Sequence, residues 1–202
     1  MITRDGVCVA TAGEGWSGTI LSGMAQSSTV YALTIDLSNV DRGVYETLDL
    51  RAARHPSETA DYFVTRLLAY ALEYEEGIVF GDGLSIADEP AVLVRDLTGR
   101  TTAWIEVGMP SAERVHRASK LAGRTAIYTH RELRQVLAQL DGQGVHRAAA
   151  IPVFAFERTF LDSLTATLER RTQWTVNVMD GQLYVEAAAG SLSTPLVASH
   201  FA

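Results

Sequence analysis

The sequence predicts a single domain of the α/β or α+β class, with a mixed central sheet and flanking helices. Three observations carry that expectation. Apolar and polar residues alternate over 28–37 and again through Leu48 and Leu50, the period-two signature of strands. Apolar residues recur at three- and four-residue spacing from Phe63 to Leu72, the signature of a helix. Between residues 91 and 170, short strand-like runs alternate with helical ones, whereas the early and late strands read as hairpins, so the strand order is mixed. A chain of 202 residues suffices for one domain of ordinary size to bury a core and is not clearly long enough for two.

Taken in order, residues 1–23 hold five of the 16 glycines and only three charges, and they carry no periodic face. They read as a Gly-rich leader, either a disordered tail or the product of a misassigned start, with Met24 opening a domain over 24–202. A first hairpin pairs 28–37 with a run through Leu48 and Leu50 across a turn at 38–43. Pro56 and Ser57 suit a helix start, and Phe63, Val64, Leu67, Leu68, Ala71 and Leu72 carry that helix to about Tyr74. A polar, Gly-broken loop is expected over 75–88, then antiparallel strands at 91–95 and 101–107 around a turn at 97–99. After Pro110 come a helix to about Ala122, a strand at 125–129, a helix at 132–140, a strand at 151–156 and a helix at 159–170. The Asp180-Gly181 pair is a two-residue turn signal and predicts a last hairpin, 174–179 with 182–185.

Composition excludes several function classes. With 17 basic against 24 acidic residues the net charge is −7, so no broad cationic surface supports sequence-blind binding to phosphate backbones or a polybasic membrane role. The longest apolar run, 148–156, has nine residues and contains Pro152. A membrane-spanning helix needs ~20. Cys8 is the only cysteine, which excludes an internal disulfide and a Cys-based zinc site and suits a reducing, cytoplasmic setting. Arg4 and Asp5 are followed by a Gly-broken stretch, unlike a secretory signal.

Gly13-Glu-Gly15-Trp-Ser-Gly18 fits G-x-G-x-x-G, with Asp36 eighteen residues beyond Gly18, as a dinucleotide fold would want. Length argues against it. Between Gly18 and Val30 there is room for one short helix interrupted by Gly23, less than a crossover usually needs. The five histidines (His55, His116, His130, His146, His200) show no H-E-x-x-H spacing and read as surface or packing residues. Neither a G-x-S-x-G elbow nor a Walker Gly-Lys-Ser/Thr occurs.

What remains is a group of carboxylates around the central hairpin. Asp88 and Glu89 precede its first strand, and Glu106 lies near the end of the second. A turn centred near Thr98 sets Glu106 opposite Pro90, and a one-residue choice of register decides whether Asp88 or Glu89 shares its face. Two carboxylates across paired strands suit a hard divalent cation, although acids at strand ends are also commonly just solvated.

The run Ala53-Arg54-His55-Pro56-Ser57-Glu58-Thr59, the Asp88-Glu89-Pro90, the Trp104-Ile105-Glu106-Val107-Gly108-Met109-Pro110, the helix at 114–118 and the strand Ile127-Tyr128-Thr129 resemble the YaeQ family of bacterial proteins, co-linearly over about 24–185. The resemblance implies a variant of the PD-(D/E)XK nuclease-like fold, in which a helix carries an acid, a strand pair carries an Asp and a Glu, and a lysine completes the site. The matching positions are Glu58 for the helix acid, Asp88 or Glu89 for the first strand and Glu106 for the second. The usual nuclease lysine would stand two residues after that Glu, where this chain has Gly108; the YaeQ pattern moves the basic residue to the following helix, here Arg117.

Lys120 is the only lysine, three residues after Arg117 and on the same helical face. Arginine stabilises charge but does not readily give up a proton. Either Lys120 reaches the site, or Arg117 acts electrostatically and is the member of the Arg114, Arg117, Lys120 stripe that meets the acids, or catalysis is lost. The implied function is a Mg²⁺- or Mn²⁺-dependent phosphodiester hydrolase of unknown nucleic-acid substrate. In that scheme Asp88, Glu89 and Glu106 supply the metal ligands, Glu58 positions water and Arg117 or Lys120 offsets charge. The alternative is a non-catalytic binding or regulatory protein that keeps the fold.

Overall fold

The computed structural model of the chain describes residues 28–81 and 89–202. The leader at 1–23, its glycine motif and Asp88 lie outside the described residues.

The elements run β1 (Thr29–Asn39), β2 (Val44–Arg54), α1 (Ala60–Leu72), β3 (Ile78–Phe80), β4 (Val92–Arg95), β5 (Thr101–Val107), α2 (Ala112–Leu121), β6 (Arg124–Thr129), α3 (Leu133–Leu140), a 3-10 turn (Ala148–Ala150), β7 (Val153–Ala155), α4 (Arg158–Ala166), β8 (Arg171–Met179), β9 (Gln182–Ala187) and β10 (Gly190–Pro195). The α+β class holds, but the strands divide over two mixed sheets of five, ordered β10-β9-β8-β1-β2 and β3-β4-β5-β6-β7. Burial patterns explain the division. In β1, β2 and β8 every second residue is buried, as in a sheet with one wet face. Residues Ala103 to Val107 of β5 and Thr125 to Thr129 of β6 are buried without alternation, because helices cover that sheet on both sides.

Helix α1 lies between the sheets. It packs against β1 of the first, against β3, β4, β5 and β6 of the second, and against α4. Its apolar residues therefore extend nearly all round, with Phe63, Val64, Leu67, Leu68, Ala69 and Ala71 at 0% exposure. Helices α2 and α3 close the other face of the second sheet through a separate apolar cluster that includes Val115, Ile127, Val136 and Leu140. No helix among the described residues is long and apolar enough to cross a membrane.

Four expectations change. The loop expected over 75–88 contains β3, which pairs antiparallel with β4. Gly77 and Gly81 bracket it, and a Cβ on either would collide with the carbonyl of Arg95 or Pro90, so these glycines permit the close pairing they were expected to break. A second unexpected strand, β10, adds to β9. Helix α1 starts at Ala60 rather than at Pro56, because Thr59 is the N-cap and its Oγ1 accepts from Tyr62 N at 3.2 Å. Helix α4 stops at Ala166, where Thr167 N and Leu168 N bond back to Leu164 O and Thr165 O and tighten the last turn. The Asp180-Gly181 turn forms as expected, and Asp41 of the first hairpin holds it by accepting from Asp180 N at 2.8 Å and Gly181 N at 3.0 Å.

Candidate active-site cleft

The family-like run folds into a turn that buries an acid. Glu58 N donates to His55 O at 2.9 Å, and Glu58 Oε2 accepts from His55 N at 2.9 Å. Arg54 grips Glu58 O through Nε (3.1 Å) and Nη2 (2.9 Å). Two turns into α1, Arg66 sends Nη2 back to Glu58 Oε2 at 3.2 Å and to Ala53 O at 2.7 Å. The side chains of this ion pair are 3% and 1% exposed, and the guanidinium lies 5.3 Å from the ring centres of both Phe63 and Phe80. Burial pushes the Arg66 guanidinium below its ordinary value, and Glu58 pulls it back up. Glu58 Oε1 is buried with no hydrogen-bond donor among the described residues.

Glu106 is the second buried acid, 3% exposed. Its Oε1 accepts from Trp104 Nε1 at 2.7 Å and from Arg114 Nε at 2.6 Å. Burial raises its carboxyl above the ordinary glutamate value, while Arg114, the Trp104 hydrogen bond and the charge of Arg117 pull it down. Along β5, Ile105 and Val107 join the core around α1, whereas Trp104 packs with Ala118 and Ala122 of α2. By strand alternation, Glu106 shares the α2 face with Trp104. The two acids thus reach the end of β5 from opposite faces of the sheet, and Tyr62 lies where both are felt.

On the α1 side a cleft of about 430 Å³ opens at the C-terminal ends of the parallel strands β5 and β6; Glu58 lines it, whereas Glu106 does not. Glu58 and Tyr62 of the α1 end, Val107 at the end of β5, Gly108 after it, and His130 and Arg131 after β6 line it. Gly108 has φ +90°, and a Cβ there would touch His130 Cε1 at 3.5 Å and the Tyr62 ring at 3.6 Å. Burial pushes Tyr62 up to about 12, with the Arg66 charge opposing and both glutamates adding. His130 falls below its ordinary value through burial and the Arg131 charge, and its Nδ1 is buried without a partner among the described residues. Both rings are therefore neutral at pH 7. A spectrophotometric titration checks this: the ionisation missing from Tyr62→Phe is expected near pH 12 rather than near the ordinary 10.0. Because the folded value is the higher one, the stability that neutral Tyr62 contributes is complete below pH 10.0 and declines as pH rises toward 12.

The arginine that binds Glu106 is Arg114, one turn earlier than expected. Ser111 caps α2 and accepts from Arg114 N at 3.3 Å, which sets the Arg114 side chain over the end of β5. Arg117 is exposed and acts on Glu106 through its charge, and Lys120 is exposed one turn further on. Arg114 Nη2 also donates to the backbone carbonyl of Glu89. The Glu89 carboxylate has Oε1 3.7 Å from Arg95 Nη2. The β4–β5 pairing slips by one residue at a bulge between Val94 and Arg95, so the register Val92↔Ile105 continues to Ala91 beside Glu106, not Pro90. Among the described residues no three His, Cys, Asp or Glu side chains gather closely enough to hold a metal.

Sequence reasoning missed Arg66, Tyr62, His130 and the precedence of Arg114. Arg66 had a signal, a lone cation inside an otherwise apolar stripe, eight residues and therefore about two turns from Glu58. His130 had none, because only the parallel pairing of β5 with β6 brings it beside Gly108.

The YaeQ protein family model matches residues 24–196. The "Uncharacterized protein YaeQ" of Escherichia coli (strain K12) is 28% identical over 176 residues, 87% of this chain and 97% of that protein. The crystal structure of the YaeQ protein from Pseudomonas syringae superimposes with TM-score 0.80 at 35% identity, covering 86% of this chain and 97% of that one. The YaeQ protein from Xanthomonas axonopodis pv. citri gives TM-score 0.79 at 29% identity, covering 87% and 100%.

Proposed function

The chain belongs to the YaeQ family, and from that premise and the geometry around Glu106 and Glu58 we propose that it is a divalent-metal-dependent phosphodiester hydrolase of the PD-(D/E)XK nuclease-like kind, acting on a nucleic acid. The observation that carries this reading is the fork of Arg114, whose Nε holds the Glu106 carboxylate while its Nη2 holds the Glu89 carbonyl. That fork ties the residue next to Asp88 in the chain to the acid on the neighbouring strand. Asp88 and Glu106 are the ligands we assign to the ion, and Glu58, with Oε1 lacking a donor, fits as the acceptor that orients a water.

An all-oxygen donor set suits Mg²⁺ or Mn²⁺. A bound ion would polarise the phosphate and acidify a water. The protein's own part is electrostatic. Arg114 and Arg117 offset negative charge developing near Glu106, as a guanidinium does without losing a proton. Tyr62, held neutral, keeps its hydroxyl proton and so can donate a hydrogen bond in the cleft.

The test is digestion of single- and double-stranded DNA and RNA with Mg²⁺ or Mn²⁺, together with calorimetric titration of Mn²⁺. Cutting of at least one substrate that stops with chelator, and saturable Mn²⁺ binding, are expected. A second reading, binding without hydrolysis, is favoured by one observation: both buried carboxylates already face an arginine, Arg66 for Glu58 and Arg114 for Glu106. Failure of both cutting and Mn²⁺ binding would select it.

A further inference from the structure

Among the described residues, three of the four sheet edges carry devices that discourage pairing. Strand β3 has only three residues, β7 has three and is bridged by Ser199, and β10 opens with Gly190 and ends in Pro195. Edge strand β2 differs. It has eleven residues, pairs with β1 through eleven successive positions without a bulge, and contains neither proline nor lysine. Among the described residues β1 is its only strand partner. At ~3.3 Å per residue it offers an edge ~36 Å long.

The charges on that edge are arranged for self-pairing. Leu48, Leu50 and Ala52 turn inward, and Thr47, Asp49 and Arg51 turn outward. An antiparallel pairing of two copies keeps inner face with inner face only when the paired residue numbers share parity. Centred on Leu50, such a pairing sets Asp49 of each copy opposite Arg51 of the other, Leu48 opposite Ala52, and Glu46 opposite Arg54. Centred on Asp49 it would oppose two aspartates, and centred on Arg51 two arginines.

We propose that the β2 edge is a dimerisation surface whose occupant is the β2 edge of a second copy of this chain, in antiparallel register about Leu50, so that two five-stranded sheets become one sheet of ten. The closed two-fold contact would also remove the one long unprotected edge.

Sedimentation of the full chain at ~10–100 µM tests this. The expected mass is twice 21.9 kDa. D49R alone and R51D alone, both on the exposed face, should each turn the two attractive cross-strand pairs into repulsive ones and raise the dimer Kd about tenfold or more. An equimolar mixture of the two variants should recover a dimer of wild-type strength, because each then meets the opposite sign. Circular dichroism of each variant confirms that it is folded. A monomeric wild type, leaving the edge to another segment or to solvent, overturns the proposal. So do single variants that dimerise like wild type, or a mixture that gains nothing over its components.

Discussion

On the proposed hydrolase reading, replacing Glu106 by Gln is expected to lower phosphodiester cleavage by about a thousandfold or more, the loss that follows when the charge that would hold a catalytic ion is removed. The substitution separates chemistry from folding. An amide oxygen at the same place still accepts from Trp104 Nε1 and Arg114 Nε, so the local hydrogen bonds survive. What disappears is the negative charge. The Arg114 side chain is 24% exposed and retains solvent as a counter-environment, so its charge is not stranded. The thermal midpoint should therefore move by no more than about 4 °C, equivalent to ~1 kcal/mol in a chain of this size. Digestion assays and thermal melts on the same preparation check both halves. Cleavage at full rate in Glu106→Gln would remove Glu106 from the site, and collapse of the midpoint would show that its role is structural.

The second large effect concerns Arg66. Arg66→Met should destabilise the fold by ~3–5 kcal/mol, because it leaves the Glu58 carboxylate inside the protein without its cation. The side chains of this pair are 3% and 1% exposed, so water cannot take the partner's place. The guanidinium also supplies a hydrogen bond to Ala53 O and lies over Phe63 and Phe80, contacts that methionine replaces only through packing. Glu58→Gln combined with Arg66→Met should recover most of the loss, since no charge is then buried. Denaturant unfolding of the wild type, both single variants and the double variant measures the coupling. A cost for Arg66→Met below ~1 kcal/mol would mean that the pair is effectively solvated.

Much of this architecture is legible in the residues because local periodicity survives folding. The alternation in β1 and β2, the apolar stripe of α1 and the Asp180-Gly181 turn are all local, and all appear where expected. The single sheet expected from them was a question of long-range pairing, which period-two text does not encode. The contrast between wet alternating strands and the continuous run Ala103 to Val107 does carry the clue, since a strand without alternation implies cover on both faces. Strand β3 escaped notice because its glycines read as breakers until the nearness of Arg95 O and Pro90 O gave them a reason. Glu58 and Glu106 were legible as candidates through the family motif, and both are buried. Choosing between Arg114 and Arg117 was not, because both lie on one helical stripe and only the approach of α2 to β5 ranks them. The bulge at Val94 defeated the register count for the same kind of reason: one extra residue leaves the pattern of apolar letters almost untouched.

The placement of α1 between two sheets has a consequence for how the molecule opens. A helix that supplies core to both sheets cannot detach from one without exposing the other, so the sheets should melt in a single step rather than as separate units. Amide hydrogens from Phe63 to Leu72 would then exchange only through global unfolding. Glu58 stands two residues before that helix and is tethered to it through Arg66, so it inherits that rigidity. The Glu58 carboxylate beside the cleft is thereby anchored to an element that lets go only when the whole molecule does, so its position was settled when the chain folded.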